Sequence, residues 1–207
     1  MSEFRADFLA WVDAGLETPK ESVPEEVKWG LLLELAEEYH LRTLIETGTA
    51  VGDTILHIQN HFEEIHSFEI MGTYYEVAVR NTEGLSHVTL YNSSSASSEF
   101  RDLVNKQPDP CLIYLDAHYS GEGTGKDLTL ITPDVPIRQE LDVILQSNVD
   151  HVIVIDDARC FKGEAFYTDE YLGYPSRSEI QDQVAEFYDV AHVADAFVLH
   201  PKGWDWE

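Results

Sequence analysis

Apolar positions along the chain alternate between short continuous runs and longer stretches with helical spacing. The helical spacing predicts helices over 4–16 and 25–40, the second with an apolar stripe at Val27, Leu31, Leu35 and Tyr39. Five runs rich in Val, Ile and Leu follow, separated by helical patterns, at 43–45, 65–70, 87–91, 111–115 and 152–155. This alternation predicts an α/β chain, in which helices cover both faces of a parallel sheet and right-handed connections join its strands.

The C-terminal part of the chain has a different pattern. A helix is predicted over 178–188, and residues 190–199 have the pattern of two short strands that join near Asp195. The pattern predicts an antiparallel hairpin at the edge of the sheet. Since neither an internal repeat nor a linker interrupts the chain, we expect a single domain, with residues 1–40 as N-terminal helices packed on the main part at 41–207.

The charge of the chain limits the molecules that it is expected to bind, and its cysteine content indicates the cellular compartment. The 207 residues carry 13 basic and 39 acidic side chains, a net charge of −26, while 43% of residues are hydrophobic. Such a globular, acidic protein repels phosphate, so neither nucleic acid nor an anionic membrane is an expected partner. Cys111 and Cys160 have no metal-binding spacing, no signal peptide precedes Phe4, and no apolar run could span a bilayer. We therefore expect a cytoplasmic protein.

The first strand is followed by a glycine turn that opens a helix. Its pattern is Glu46-x-Gly48-Thr49-Ala-x-Gly52, in which glycine allows the backbone to approach a ligand. A carboxylate at Glu46 would repel a dinucleotide pyrophosphate but attract an ammonium or sulfonium group. The alternative is a plain tight turn with an exposed glutamate.

Polar residues also close the second and third strands. Glu69 lies about twenty residues beyond the glycine turn, where an acidic side chain can accept hydrogen bonds from the ribose hydroxyls of a nucleoside. Asn92 and Ser93 end the third apolar run. Glu69 could equally be a solvated strand end, but together with Glu46 it favours a positively charged nucleoside ligand.

Three carboxylates close the fourth and fifth strands. Asp116 follows one run, and Asp156 and Asp157 follow the other, so the topology predicts that they meet at one edge of the sheet. Oxygen ligands of this kind suit magnesium, manganese or calcium. The alternative is that the Asp156-Asp157 pair simply caps the following turn.

The remaining candidates for the functional site are one histidine and two segments. His118 lies two residues beyond Asp116 and could act as a general base, contact substrate, or be an exposed bystander. Residues 119–126 lack the residues of a phosphate-binding loop, which favours a glycine-rich flap over 119–134. The aromatic residues of 161–174 could form one wall of a substrate pocket or pack as an ordinary cluster.

The motifs resemble those of the class I S-adenosylmethionine-dependent methyltransferases over residues 42–199. The stretches 114–121 and 155–159 are similar, more narrowly, to the metal-dependent sugar O-methyltransferases of the macrocin type. This resemblance implies a Rossmann-like, doubly wound, mainly parallel seven-stranded sheet with an antiparallel edge hairpin. It also implies roles for individual residues: Glu46, Gly48, Thr49 and Gly52 at the donor's methionine part, Glu69 at its ribose, Asn92 and Ser93 near its adenine, and Asp116, Asp156 and Asp157 as magnesium ligands.

The expected activity is therefore S-adenosylmethionine-dependent O-methylation of a small molecule, a saccharide or other vicinal diol, assisted by a divalent metal. His118 or Asp116 would serve as the base. A homo-oligomer is compatible with the sequence. Three alternatives stay open: an NAD-dependent oxidoreductase, a metal-dependent phosphohydrolase, and a non-catalytic binding module.

Overall fold

The computed structural model describes residues 22–118, 135–161 and 174–204. The predicted helix over 4–16, the predicted flap over 119–134 and most of the aromatic segment 161–174 lie outside these ranges. The described helices and strands are, in chain order, α1 (Glu25–Glu38), β1 (Thr43–Thr47), α2 (Asp53–Ile58), β2 (Glu64–Phe68), α3 (Gly72–Asn81), β3 (Val88–Tyr91), α4 (Ser98–Lys106), β4 (Leu112–Leu115), α5 (Ile137–Ile144), β5 (Val152–Ile155), α6 (Arg177–Val184), β6 (Tyr188–Val193) and β7 (Ala196–Pro201). Single 3-10 turns occur at Gln59–His61 and Ala158–Cys160.

The strands form one seven-stranded sheet in the order β3-β2-β1-β4-β5-β7-β6. Neighbouring strands among the first five pair in parallel, whereas β7 pairs antiparallel with both β5 and β6. The predicted fold class, including the antiparallel hairpin, is confirmed. The strand order reverses between β1 and β4, and ligands of such sheets bind beyond the carboxyl ends of the strands near that point.

Both faces of the sheet are covered, as the continuous apolar strands predict. Successive side chains of a strand point to opposite faces, so Leu44 of β1 packs with α1 and α2 while Ile45 packs with α4, α5 and α6. In the described helices, two charged side chains are buried within these apolar layers. Lys28 of α1 is 7% exposed and Glu140 of α5 is 1% exposed, and both lie near the carboxyl ends of the strands.

Two boundaries differ from the predictions for local conformational reasons. α1 ends at Glu38 because His40 adopts a left-handed conformation, with φ of 55°. The predicted helix over 178–188 ends at Val184, and β6 begins at Tyr188. β6 and β7 join at Ala194 and Asp195, both with positive φ, the backbone that a two-residue hairpin turn requires.

No helix of the described ranges combines the length and the apolar character that crossing a membrane would need.

Candidate functional site

The loop after β1 lies directly against the end of β4. Gly48 has a φ of 88°, and a Cβ at this position would overlap the backbone carbonyl of Asp116. Gly52 also has a positive φ, of 89°, at the start of α2, but a Cβ there would meet its neighbours at ordinary distances. Gly48 is therefore required by both conformation and space, whereas Gly52 is required by conformation alone.

Glu46 ends β1 as a fully enclosed carboxyl, with 1% of the residue exposed. Ser67 Oγ donates to Glu46 Oε2 at 2.5 Å, and Thr49 Oγ1 lies 2.6 Å from the same serine oxygen. Because Ser67 gives its proton to Glu46, Thr49 must donate to Ser67. Burial raises the pKa of Glu46 to about 8, against the effect of the hydroxyl donors, and the negative charge of Asp116 adds to the rise.

Glu69, at the end of β2, is held by backbone amides. Ala50 N–H donates to Glu69 Oε2 at 2.8 Å and Met71 N–H donates to Oε1 at 2.7 Å. Asn92 Nδ2 donates to the Glu69 carbonyl oxygen at 2.8 Å, so Asn92 fixes the backbone of this strand end. Ser93 follows Asn92 in the loop after β3 and is half-buried. Burial raises the pKa of Glu69 despite these amide bonds.

Asp116 and the Asp156-Asp157 pair do meet, and His118 joins them. His118 Nδ1 lies 3.3 Å from Asp116 Oδ1, and Nε2 lies 3.0 Å from Asp157 Oδ2. Burial alone would lower the pKa of His118, but the hydrogen bonds and charges of the two carboxylates outweigh it and raise this pKa to about 10. The arrangement therefore favours a doubly protonated imidazolium, which has no lone pair with which to accept a proton.

Asp156 accepts hydrogen bonds on both carboxylate oxygens. Lys28 Nζ and the Tyr114 hydroxyl donate to Oδ2 at 2.7 Å and 2.8 Å, and the Asp157 backbone N–H donates to Oδ1 at 2.7 Å. Lys28 comes from α1, 128 positions earlier in the chain. Burial opposes the charge on Lys28, yet the negative charges of Asp156 and Asp116 raise its pKa above the usual range.

Asp157 is bound from the edge hairpin as well as from His118. Arg159 Nη1 contacts both Asp157 Oδ1 and Asp195 Oδ2, and Asp195 lies in the turn between β6 and β7. Asp195 Oδ1 also accepts from the Arg159 backbone N–H at 2.9 Å. Burial would raise the pKa of Asp157, but His118, Lys28 and Arg159 together lower it well below its usual range.

The predicted magnesium ligands, Asp116, Asp156 and Asp157, do not fit a divalent ion in this arrangement. Every carboxylate oxygen of Asp156 and Asp157 has a protein donor within ion-pair or hydrogen-bond distance. Within the described ranges no group of three or more His, Cys, Asp or Glu side chains is placed to hold a metal ion. Magnesium also demands near-ideal octahedral geometry, and the cationic side chains beside these oxygens would repel it. The carboxylates converge as predicted, and their partners are cationic side chains.

Glu140 is a further acidic residue of this site that the sequence analysis missed. It lines a small cavity with His118, Asp156, Phe161 and Tyr174, where the last two rings pack edge to face at 5.0 Å. Burial raises the pKa of Glu140 to about 7, while Ser95 and Thr47 act to lower it. Its Oε1 has no hydrogen-bond partner among the described residues.

The chain has the fold of the class I S-adenosylmethionine-dependent methyltransferases. Solved structures align with it over most of its length at low sequence identity. A putative caffeoyl-CoA O-methyltransferase from Staphylococcus aureus has a TM-score of 0.59 and 14% identity, covering 98% of this chain and 93% of that one. The O-methyltransferase TomG from Streptomyces achromogenes, in complex with S-adenosylmethionine, has a TM-score of 0.57 and 15% identity, covering 97% and 90%.

The same fold also occurs in the 23S rRNA methyltransferase ErmE, with a TM-score of 0.55 and 12% identity, covering 88% of this chain and 70% of that one. No protein-family model matches the sequence. No curated protein matches it either. The fold is thus defined, and the acceptor has to be argued from the chain's own residues.

Proposed function

We propose that this chain is an S-adenosylmethionine-dependent methyltransferase that methylates a hydroxyl group of a small molecule, a saccharide or other vicinal diol. The observation that carries the proposal is the pair Glu46 and Glu69 at the ends of adjacent strands. Both are buried, both are oriented by hydroxyl or amide donors, and within the described ranges neither forms an ion pair. A cationic nucleoside would favour the ionised form of these carboxyls, whose pKa values burial raises, and would supply the positive charge that they lack.

In this proposal the donor lies across the ends of β1 and β2. Glu46 attracts the ammonium of the donor's methionine part, and the turn held open by Gly48 and Gly52 gives the ligand access to the backbone. Glu69 accepts the ribose hydroxyls, since its carboxylate is already oriented by two amides. Thr49 supports Glu46 through Ser67, and Asn92 with Ser93 borders the adenine.

The acceptor hydroxyl would lie on the β4 side, against Asp116 and His118. The methyl carbon moves from the donor sulfur to the acceptor oxygen: the C–S bond breaks, the C–O bond forms, and S-adenosylhomocysteine leaves. The hydroxyl proton goes to Asp116, whose side chain is 30% exposed and whose backbone carbonyl lies against Gly48 of the donor turn. His118 contacts carboxylates through both ring nitrogens and so orients Asp116. To act as the expected base, His118 would first have to lose a proton.

Magnesium follows from the resemblance, but because the carboxylates do not fit it here, no step is assigned to it. A net charge of −26 supports a small-molecule acceptor over a nucleic acid. The cytoplasmic location and a homo-oligomer stay predictions, and so does the division into residues 1–40 and 41–207.

The test is calorimetric titration with S-adenosylmethionine, S-adenosylhomocysteine and NAD. We expect both sulfur nucleosides to bind and NAD to show no binding. Glu69→Ala should weaken their binding about tenfold or more, since a lost charge-assisted hydrogen bond is worth about 1.5–3 kcal/mol. Glu64→Ala, at the exposed start of the same strand, is the matched control and should bind normally. Tight NAD binding, or unchanged affinity in Glu69→Ala, would contradict the proposal.

A further inference from the structure

Lys28 is a buried ammonium in an apolar helix face. It shares that face of α1 with Leu31, Leu32 and Leu35, all of which are almost fully enclosed. Removing an ammonium from water is costly unless anionic partners receive it. The position of Lys28 is therefore explained by its carboxylate partners and not by packing.

The contacts of Lys28 resemble those of an ion bound between carboxylates. Its Nζ lies 2.7 Å from Asp156 Oδ2, 3.3 Å from Glu25 Oε1 and 3.7 Å from Asp157 Oδ1. An ammonium has three donor hydrogens, and three carboxylates surround this one. Lys28 thus lies beside the carboxylate oxygens of Asp156 and Asp157, two of the residues that were predicted to bind magnesium.

The three predicted metal ligands already have cationic partners, two of which, Lys28 and Arg159, are shared with Glu25 and Asp195. Three acidic side chains, Asp116, Asp156 and Asp157, are each in contact with at least one of three basic ones, Lys28, His118 and Arg159. A divalent cation would have to enter next to the ammonium of Lys28, and the two positive charges would repel each other.

We propose that Lys28 supplies the fixed positive charge of the acceptor side, so that this chain carries out its reaction without a divalent metal ion. The part of this inference that concerns methyl transfer rests on the proposed function. The part that concerns metal binding rests only on the contacts of Lys28. The ammonium neutralises Asp156 and Asp157 and holds them in place, and α1 becomes part of the site.

The experiment measures the effect of Mg²⁺ and Mn²⁺ on the melting temperature of the wild-type chain and of variants. Asp156→Asn removes a predicted magnesium ligand, and Asp182→Asn on exposed α6 is the control for nonspecific binding to the acidic surface. We expect the same ion-dependent shift in the wild type and both variants. A shift that is lost in Asp156→Asn but kept in Asp182→Asn would overturn the proposal.

Lys28→Met gives the complementary measurement, with Lys106→Met at the exposed end of α4 as the control. Without its ammonium the carboxylate pair should gain stabilisation by Mg²⁺ or Mn²⁺, whereas Lys28→Arg, which keeps the charge, should not. Calorimetric binding of one divalent ion by the wild type that is lost in Asp156→Asn and kept in Asp182→Asn would overturn the proposal even if Lys28→Met does not fold.

S-adenosylhomocysteine titration separates this inference from the proposed function. If the nucleoside does not bind, the proposed function fails, while the metal measurements still decide the role of Lys28. If it binds, methyl transfer should proceed at the same rate in EDTA and in Mg²⁺. A rate that is lost in EDTA and restored by Mg²⁺ would overturn metal independence while leaving the methyltransferase assignment intact.

Discussion

The carboxylates on the two sides of the switch between β1 and β4 have opposite electrostatic surroundings. On the donor side, Glu46 and Glu69 are met by hydroxyl and backbone amide groups, and the described residues place no cation against them. On the acceptor side, Asp156 and Asp157 are bound by Lys28, His118 and Arg159. The difference teaches that acidic residues close together do not by themselves define a cation site. Whether they can bind a further cation depends on whether basic side chains of the protein already neutralise them.

The strongest test of this comparison is the cost of removing the internal cation. Lys28→Met should destabilise the fold by about 3–5 kcal/mol, because it leaves a buried carboxylate without its partner. Chemical denaturation measures this change, with exposed Lys106→Met expected to stay within about 0.5 kcal/mol of the wild type. Adding Asp156→Asn to Lys28→Met should restore part of the loss, and a double variant no more stable than the single one would contradict the pairing.

A second test uses pH on the donor side. The pKa of Glu46 is raised to about 8, so the folded chain keeps a proton that the unfolded chain releases above its ordinary pKa near 4.5. This contribution to stability is present at low pH and is lost as the pH rises toward 8. Glu46→Gln should remove the loss and gain about 4 kcal/mol relative to the wild type at pH 8, since each pH unit between about 4.5 and 8 costs the wild type about 1.4 kcal/mol.

Denaturation of both proteins between pH 5 and pH 8 measures this difference. The gain should grow with pH and be small at pH 5. A constant difference across the range would mean that the pKa of Glu46 is not raised in the folded chain.

The same variant distinguishes folding from binding. Above pH 8, where Glu46 is ionised, Glu46→Gln should weaken the binding of S-adenosylmethionine about tenfold, or about 1.4 kcal/mol, by removing the charge that attracts the donor's ammonium. Calorimetric affinity for the nucleoside is the measurement, and Glu63→Gln, an exposed neighbour of β2, is the control. Unchanged affinity together with the expected gain in stability would show that Glu46 serves no cationic ligand.

The smallest expected effect concerns the donor turn itself. Ala50 has a φ of 47°, a left-handed conformation that costs an L-residue about 1–2 kcal/mol. Ala50→Gly should stabilise the fold by up to about 1 kcal/mol, because glycine removes this cost while increasing the entropy of the unfolded chain. Ala185→Gly, at a residue with φ of −56°, should destabilise. Equal effects at the two positions would contradict strain at Ala50.

Local patterns were sufficient to predict the strands, the hairpin and the glycine turn, because each depends on neighbours within a few positions. The convergence of Asp116 with Asp156 and Asp157 also followed, since carboxyl ends of parallel strands share one edge. The cationic partners of these carboxylates could not be predicted from local patterns. Lys28 contacts Asp156 from 128 positions away in the sequence, and His118 contacts carboxylates in two different loops.

One signal for the missed residues was nevertheless present. Lys28 occurs on the apolar face that contains Leu31 and Leu35, and Glu140 occurs with Ile137 and Leu141 on the buried face of α5. A charged residue within an apolar helical stripe must find a partner in the interior. Which partner it finds depends on packing between distant segments, which periodicity does not reveal.

The ion pair between α1 and the end of β5 has a consequence for dissecting this protein. A deletion or a chimeric junction placed between residues 38 and 43 would separate the ammonium from its carboxylate. Such a fragment would retain all seven strands yet expose an unneutralised acidic pair, and added divalent ions could then rescue it. Metal dependence observed in a truncated form would therefore result from the truncation and would not be a property of the full chain.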